Sequence, residues 1–206
     1  MICERKYVKD VYEEIAEHYN VRRMSTWNWV EDFINNQMIN SYILDVGCGN
    51  GRNMENKNYR FIGIDNCNKF IEICNKKNLE VINSNMTNLP FRENIFDSII
   101  SIAAFHHLYQ ESDKIKTLKE MKRVVKLGGK ILLSVWSKDQ PEKTKKNFRN
   151  YGINIVNWNK YGTIYERYYY IFRIDEILKL FKMAGLFVKS HETHCGNEVF
   201  ILLKIN

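Results

Sequence analysis

Little in this chain fits an oxidising compartment or a bilayer. Its five cysteines, Cys3, Cys48, Cys67, Cys74 and Cys195, are scattered with no C-x-x-C pair, which argues against a disulfide framework and a structural zinc site. No apolar run reaches the roughly 18 residues that span a membrane. The opening "MICERKYVKDVYEE" is charged and helical in pattern, unlike the basic and then apolar start of a secretory leader. Internal repeats and low-complexity tails are also missing. The expectations are a reducing, cytoplasmic or nuclear location, no membrane association and no resident metal.

Nucleotide fingerprints are absent as well. "ILDVGCGNGRN", residues 43–53, spaces its glycines as G-x-G-x-G. That is neither the G-x-G-x-x-G dinucleotide motif nor a P-loop with its closing Gly-Lys-Ser/Thr. The backbone can still come close to a ligand at Gly47, Gly49 and Gly51, and the ligand expected there is smaller than a pyrophosphate.

With 206 residues, 45% hydrophobic and 27% charged, the chain can bury one sizeable core, so a single domain over residues 1–206 is expected. The charge of +7 and pI near 9.1 suit a polyanionic partner, and equally a solvated Lys-rich surface. Apolar periodicity predicts helices over 4–20 and about 26–37. Then "YILDV" (42–46), "RFIGID" (60–65), "LEVIN" (79–83), "FDSIISI" (96–102) and "KILLSVW" (130–136) read as strands. "KFIEICNKK" and "IKTLKEMKRVV" read as helices, the latter stopped by Gly128 and Gly129. Residues 137–163 read as a polar, basic loop, "IYERYYYIF" (164–172) as an extended piece, and "IDEILKLFKMAG" as a helix. "LFVKSHE" and "EVFILLKI" make a terminal hairpin. The class is α/β, with a doubly wound, mainly parallel sheet and an antiparallel end.

In such a sheet ligands lie beyond the carboxyl ends of the strands. The first predicted strand carries Asp45 and the second ends at Asp65. An acid in the second place suits the two hydroxyls of a ribose. Asn85 follows the third strand and suits an adenine edge, with Asn66 and Met86 beside these positions, while Ser101 to Ala103 would lie under the ligand. Ribose and adenine without a phosphate site describe S-adenosylmethionine. Asp45 would sit near its amino-acid end, directly or through water.

The "DVGCGNG" loop, Asp65, "NLPF…FD" and the glycine pair before the fifth strand resemble the class I S-adenosylmethionine-dependent methyltransferases over residues 40–204. The resemblance implies a seven-stranded mixed sheet and that cofactor. "VYEEIAEHYNVRRMSTW" (11–27), "SIAAFHHL" (101–108), "SVWSKDQ" (134–140) and "ERYYYIF" (166–172) further resemble the eukaryotic tRNA methyltransferases that esterify 5-carboxymethyluridine at the wobble position. That resemblance implies a tRNA substrate and a heterodimer with a small zinc-binding activator, docked on the strand from Leu79 to Asn83. It also implies that residues 1–40 and an insertion over 137–173 build the substrate side.

A carboxymethyl group has a pKa of about 4, so its oxygen is already anionic and needs no general base. The site must hold that oxygen and exclude water. Arg23, at the family's arginine position, is the expected grip on the carboxylate or an adjacent phosphate. His106 is the favoured second catalytic residue and His107 a substrate-side or structural one. Tyr12, Trp27, Trp136 and Tyr169 are expected around the base, or else as core aromatics. Lys143, Lys145 and Lys146, within the basic segment 138–150, are candidate phosphate contacts. Two rival readings are a small-molecule methyltransferase and a non-catalytic scaffold that binds S-adenosylmethionine or tRNA.

Overall fold

In this computed structural model, residues 5–142 and 148–205 are described. Lys143, Lys145 and Lys146 therefore lie outside the described residues. Nine strands run in chain order: β1 (Tyr42–Val46), β2 (Arg60–Asp65), β3 (Val81–Asn83), β4 (Phe96–Ile102), β5 (Val125–Trp136), β6 (Gly152–Lys160), β7 (Thr163–Ile171), β8 (Phe187–His194) and β9 (Asn197–Leu203). Seven form one sheet in the order β3-β2-β1-β4-β5-β9-β8. Strands β1 to β5 pair in parallel, and β9 pairs antiparallel with both β5 and β8. This is the expected doubly wound mixed sheet with its terminal hairpin.

Period-two alternation divides the core between the two sheet faces. Leu44, Val46, Ile99, Ile131 and Leu133 face α4 (Glu111–Val124) and α5 (Ile174–Met183), which bring Leu118, Met121, Leu180 and Phe181. Ile43, Ile100 and Leu132 face α2 (Asn28–Asn35), which brings Val30, Phe33 and Ile34. α4 also has Glu111 and Asp113 in its first turn and Lys122 and Arg123 in its last, the arrangement that complements the helix dipole.

Two predicted elements differ. The basic stretch expected to be loop holds β6, which pairs residue for residue with β7 as a separate two-stranded ribbon. Gly128 and Gly129 lie inside β5, whose register on β4 shifts nearby, and the helix has already ended at Val124. The first predicted helix also divides, into a wide turn over Arg5–Lys9 and α1 (Asp10–Arg22).

The ribbon and α1 together cover the carboxyl end of the parallel strands. Trp158 of β6 packs against Val11 and Ile15, and its indole N–H donates to His18 Nδ1 at 3.0 Å. On its other side α1 docks on α3 (Asn68–Lys76) through Ala16, Phe70 and Ile73. Glu13 of α1 accepts bonds from the amides of Asn68 and Lys69, at 2.7 and 3.0 Å. A helix start leaves such amides unpaired, so α1 caps α3 from outside and their relative position is set.

The turn after β1 is equally constrained. Gly47 has φ +79°, and a Cβ there would stand 2.4 Å from the Cβ of Ala104. Left-handed backbone and overpacking each cost about 1–3 kcal/mol. Gly47→Ala is expected to lower the thermal midpoint by the equivalent of about 2 kcal/mol or more, measured by calorimetric melting against the wild type.

Candidate active site

After β1 the chain turns under β2: the amides of Gly47 and Cys48 both donate to the Ile64 carbonyl at 2.9 Å. The next residues reach Asp65, whose two carboxylate oxygens accept from the amides of Gly49 and Cys67, each at 2.9 Å. The glycine loop and the acid at the end of β2 thus hold each other. Beside them opens a cavity of about 620 Å³, a volume suited to a cofactor-sized ligand. Gly47, Gly49, Asp65, Asn66, Asn85 and Met86 stand in its wall. The cavity lies where β1 has β2 on one side and β4 on the other, the point at which strand order reverses.

Asn85 turns its own loop, its Oδ1 accepting from the amide and hydroxyl of Thr87 at 2.9 and 3.0 Å. That leaves its amide nitrogen as the donor for a ligand edge. Asp45 stands behind the wall. It is fully buried, its Oδ2 accepts weakly from Asn53 Nδ2 at 3.4 Å, and its Oδ1 has no hydrogen-bond partner. Burial, aided by the charge of Asp65, pushes its carboxyl up to about 7 against the opposing effects of Asn53 and Arg52.

Two expected cofactor contacts, Ser101 and Gly51, lie off the cavity wall. Ser101 is buried and donates to the Val46 carbonyl at 3.0 Å, tying β4 to β1, and it is Ile102, Ala103 and Ala104 that reach the cavity. Gly51 lies outside the cavity wall, and a Cβ there would meet Leu79 at 2.3 Å, so it answers to packing.

A second, much smaller recess of about 20 Å³ adjoins the first and shares Tyr12, Tyr19, Arg52 and Ala103 with it. Arg23, Trp27, Trp136, Arg167 and Tyr169 complete its lining. The substrate-side residues expected from the N-terminal helices and from the Tyr-rich segment are therefore together. Three arginines line this space and no carboxylate does. Arg52 lies over the Trp27 ring at 4.4 Å.

The two histidines face different ways, and it is His107, not the favoured His106, that reaches a cavity. His106 is fully buried, lines neither cavity, and its Nδ1 accepts the Trp136 amide at 3.2 Å. Its short 3-10 turn, Phe105–His107, sends it inward and presents His107 to the larger cavity. His107 Nδ1 contacts the Tyr168 carbonyl at 2.8 Å, and its Nε2 contacts the Tyr12 hydroxyl at 3.1 Å. A carbonyl only accepts, so Nδ1 carries the proton and Nε2 receives the one from Tyr12. Tyr12 shares the recess wall with Arg167, and burial holds its phenol far above the ordinary range.

Sequence reasoning missed Arg52, Asn53 and Arg167. The first two follow the glycine loop in a short turn, Arg52–Met54. Arg167 had one available signal: it shares a ribbon face with Trp158, Tyr165 and Tyr169, a pattern visible only once β6 is known to pair with β7.

The residues present fit S-adenosylmethionine. A Cβ at Gly49 would meet nothing within 4 Å, so the loop leaves open space at the cavity. Asp65 stands in the cavity wall, where a carboxylate suits the hydroxyls of a ribose, and the unpartnered oxygen of Asp45 suits an ammonium reached through Asn53 or water. Among the described residues no group of three or more His, Cys, Asp or Glu side chains is arranged to hold a metal.

A family model described as a methyltransferase domain matches residues 44–133. A tRNA (carboxymethyluridine(34)-5-O)-methyltransferase of Arabidopsis thaliana is 42% identical over 140 residues, covering 68% of this chain and 35% of that one. The protein of the same name from Schizosaccharomyces pombe is 31% identical over 211 residues, covering 91% of this chain and 92% of its own. The present chain thus spans about a third of the Arabidopsis relative and nearly all of the yeast one. In fold it is similar to the methyltransferase solved in complex with the Trm112 methyltransferase activator of Haloferax volcanii. There the TM-score is 0.69 at 15% identity, over 97% of this chain and 99% of that one.

Below about pH 7 Asp45 keeps its proton in the free protein, and a ligand ammonium pairs only with the ionised form. Affinity for S-adenosylhomocysteine should therefore rise as pH goes from about 6 to about 8. Titration calorimetry across that range should show the rise in wild type and a flat, weaker profile in Asp45→Asn; parallel profiles would remove Asp45 from the ligand site.

Proposed function

This chain belongs to the tRNA carboxymethyluridine methyltransferase family, and we propose that it methylates the carboxylate of 5-carboxymethyluridine at the tRNA wobble position, giving the methyl ester. The methyl donor is S-adenosylmethionine, which supplies an electrophilic methyl on its sulfonium when bound. What supports the reading is the pair of adjoining spaces: a cofactor-sized cavity and a small arginine-lined recess with Tyr12 in both walls.

The chain's own part is to bind, align and keep dry. The substrate oxygen is anionic at neutral pH, with a pKa of about 4, so no residue has to take a proton from it. Tyr12 is unsuited to do so, because its buried phenol stays protonated. Its role is to fix the wall between the spaces. Arg23 and Arg52 stand in the recess wall with permanently charged, fork-shaped heads suited to carboxylate or phosphate oxygens. Trp27, Trp136 and Tyr169 offer faces or edges to an unstacked base. Opposite charges neutralise as the methyl moves, so a dry, aromatic-walled site favours the transfer over hydrolysis.

Two partners belong to the proposal. Transfer RNA would meet the basic segment 138–150, and replacing Lys143, Lys145 and Lys146 by Ala should flatten the salt dependence of its binding. A small zinc-binding activator would add its strand to β3, the short edge strand that pairs only with β2 in the sheet. The buried, unbridged Cys48, Cys67 and Cys74 accord with a reducing, cytoplasmic or nuclear setting.

The test is methyl transfer from labelled S-adenosylmethionine to tRNA from cells lacking the wobble ester, with and without the activator, followed by nucleoside mass analysis. Methoxycarbonylmethyluridine is the expected product. No transfer despite measured cofactor binding would overturn the reading. Arg23→Ala should lower turnover roughly 10- to 100-fold, the value of a charged hydrogen bond, with S-adenosylhomocysteine affinity unchanged.

A further inference from the structure

Arg167 is the most deeply buried charge in the small recess. Its side chain projects from the inner face of β7, the residue is 3% exposed, and its Nε is buried without a hydrogen-bond partner. It forms no ion pair with a carboxylate among the described residues. Its guanidinium lies 4.7 Å from the Trp158 ring and 5.2 Å from that of Tyr169, so aromatic faces hold it without neutralising it. Its nearest polar neighbours are the phenols of Tyr169, Tyr12 and Tyr19, none of them a carboxylate, and burial keeps the proton on Tyr12.

A cation this far from water is costly unless an anion meets it. The recess in front of it is about 20 Å³. It is far smaller than the adjoining cavity of about 620 Å³, so it suits a small anionic head and not a whole nucleotide. Arg23 is less buried and lines the same recess, nearer to water.

We propose that Arg167 is the carboxylate-binding, specificity-determining residue of this site. Resting on the wobble-uridine reading above, the inference divides the arginines: Arg167 takes the carboxymethyl group, and Arg23 the adjoining phosphate. A guanidinium offers donors only, so it pairs with both oxygens of the acid, whereas the NH2 of the corresponding amide would be turned against it. The site therefore selects 5-carboxymethyluridine against 5-carbamoylmethyluridine. Tyr12 stands in the walls of both spaces, so the gripped group lies beside the cofactor cavity.

The experiment measures binding of the full chain, with its activator and S-adenosylhomocysteine, to anticodon stem-loops carrying the acid, the amide or plain uridine at the wobble position. Wild type should prefer the acid over the amide on the order of tenfold or more. Arg167→Gln should bind acid and amide alike, with S-adenosylhomocysteine affinity unchanged. Arg167→Lys should keep part of the preference, since charge remains and the fork is lost. A Gln variant that still prefers the acid as wild type does overturns the assignment while leaving the wobble-uridine reading intact. A wild type that binds all three stem-loops alike overturns that reading, and the inference with it. If Arg167→Gln does not melt cooperatively, the Lys variant decides: a reduced acid preference supports the role, and an unchanged one overturns it.

Discussion

The hydroxyl of Tyr12 is the point at which three distant segments of the chain meet. It donates to His107 Nε2 at 3.1 Å, lies 3.4 Å from the Tyr169 hydroxyl, and shares the recess wall with Arg167. His107 passes the chain of bonds on to the Tyr168 carbonyl at 2.8 Å. Thus α1, the turn after β4 and strand β7 are joined through one phenol and one imidazole, each with a defined donor and acceptor. Such a network is stiff when fully satisfied, and this one forms the partition between the cofactor cavity and the recess. Displacing any of the three segments would change both spaces together, so cofactor and substrate geometry depend on the same few bonds.

Against that satisfied partition stand two buried charged groups with little to neutralise them. Asp45 keeps an unpartnered oxygen behind the cofactor cavity, and Arg167 an unpartnered Nε behind the recess. Both lie at the carboxyl end of the sheet, where the fold collects its ligand. Unpaired groups of this kind are normally removed from interiors because desolvation costs more than the contacts return. Their sign follows the ligand expected on each side: an acid where an ammonium would come, a guanidinium where a carboxylate would come. Asp45 meets the cost partly by holding its proton, and Arg167 has no such recourse, since a guanidinium stays charged.

Much of this was legible in the residues. β1, β2 and β4 are short apolar runs followed closely by turn residues or a polar loop, and the acids at 45 and 65 follow from where those runs stop. The failures have physical causes. "GINIVNWNK" hides as a strand because asparagines interrupt its apolar residues, and pairing with β7 supplies the order that its composition lacks. In a 3-10 turn adjacent side chains point about 120° apart, so sequence alone does not say which of His106 and His107 faces the ligand. Ser101 fails by a similar parity argument, its hydroxyl turned to the Val46 carbonyl and not to the cavity. Arg167 could not be placed until the ribbon's buried face was known.

That ribbon also ties the substrate side to the cofactor side. A two-stranded ribbon is marginal alone in water, and β6 and β7 hydrogen-bond to no strand of the main sheet. It is held by side chains: Trp158 against Val11 and Ile15 of α1, Tyr169 and Ile171 against Phe148. Those apolar residues share one face with Arg167. The face that binds the ribbon to the domain is therefore the face that carries the buried cation, and α1 cannot leave the cofactor cavity without uncovering the recess. Cofactor cavity and anion recess are two sides of a single packing event, which accounts for their common lining of Tyr12, Tyr19, Arg52 and Ala103.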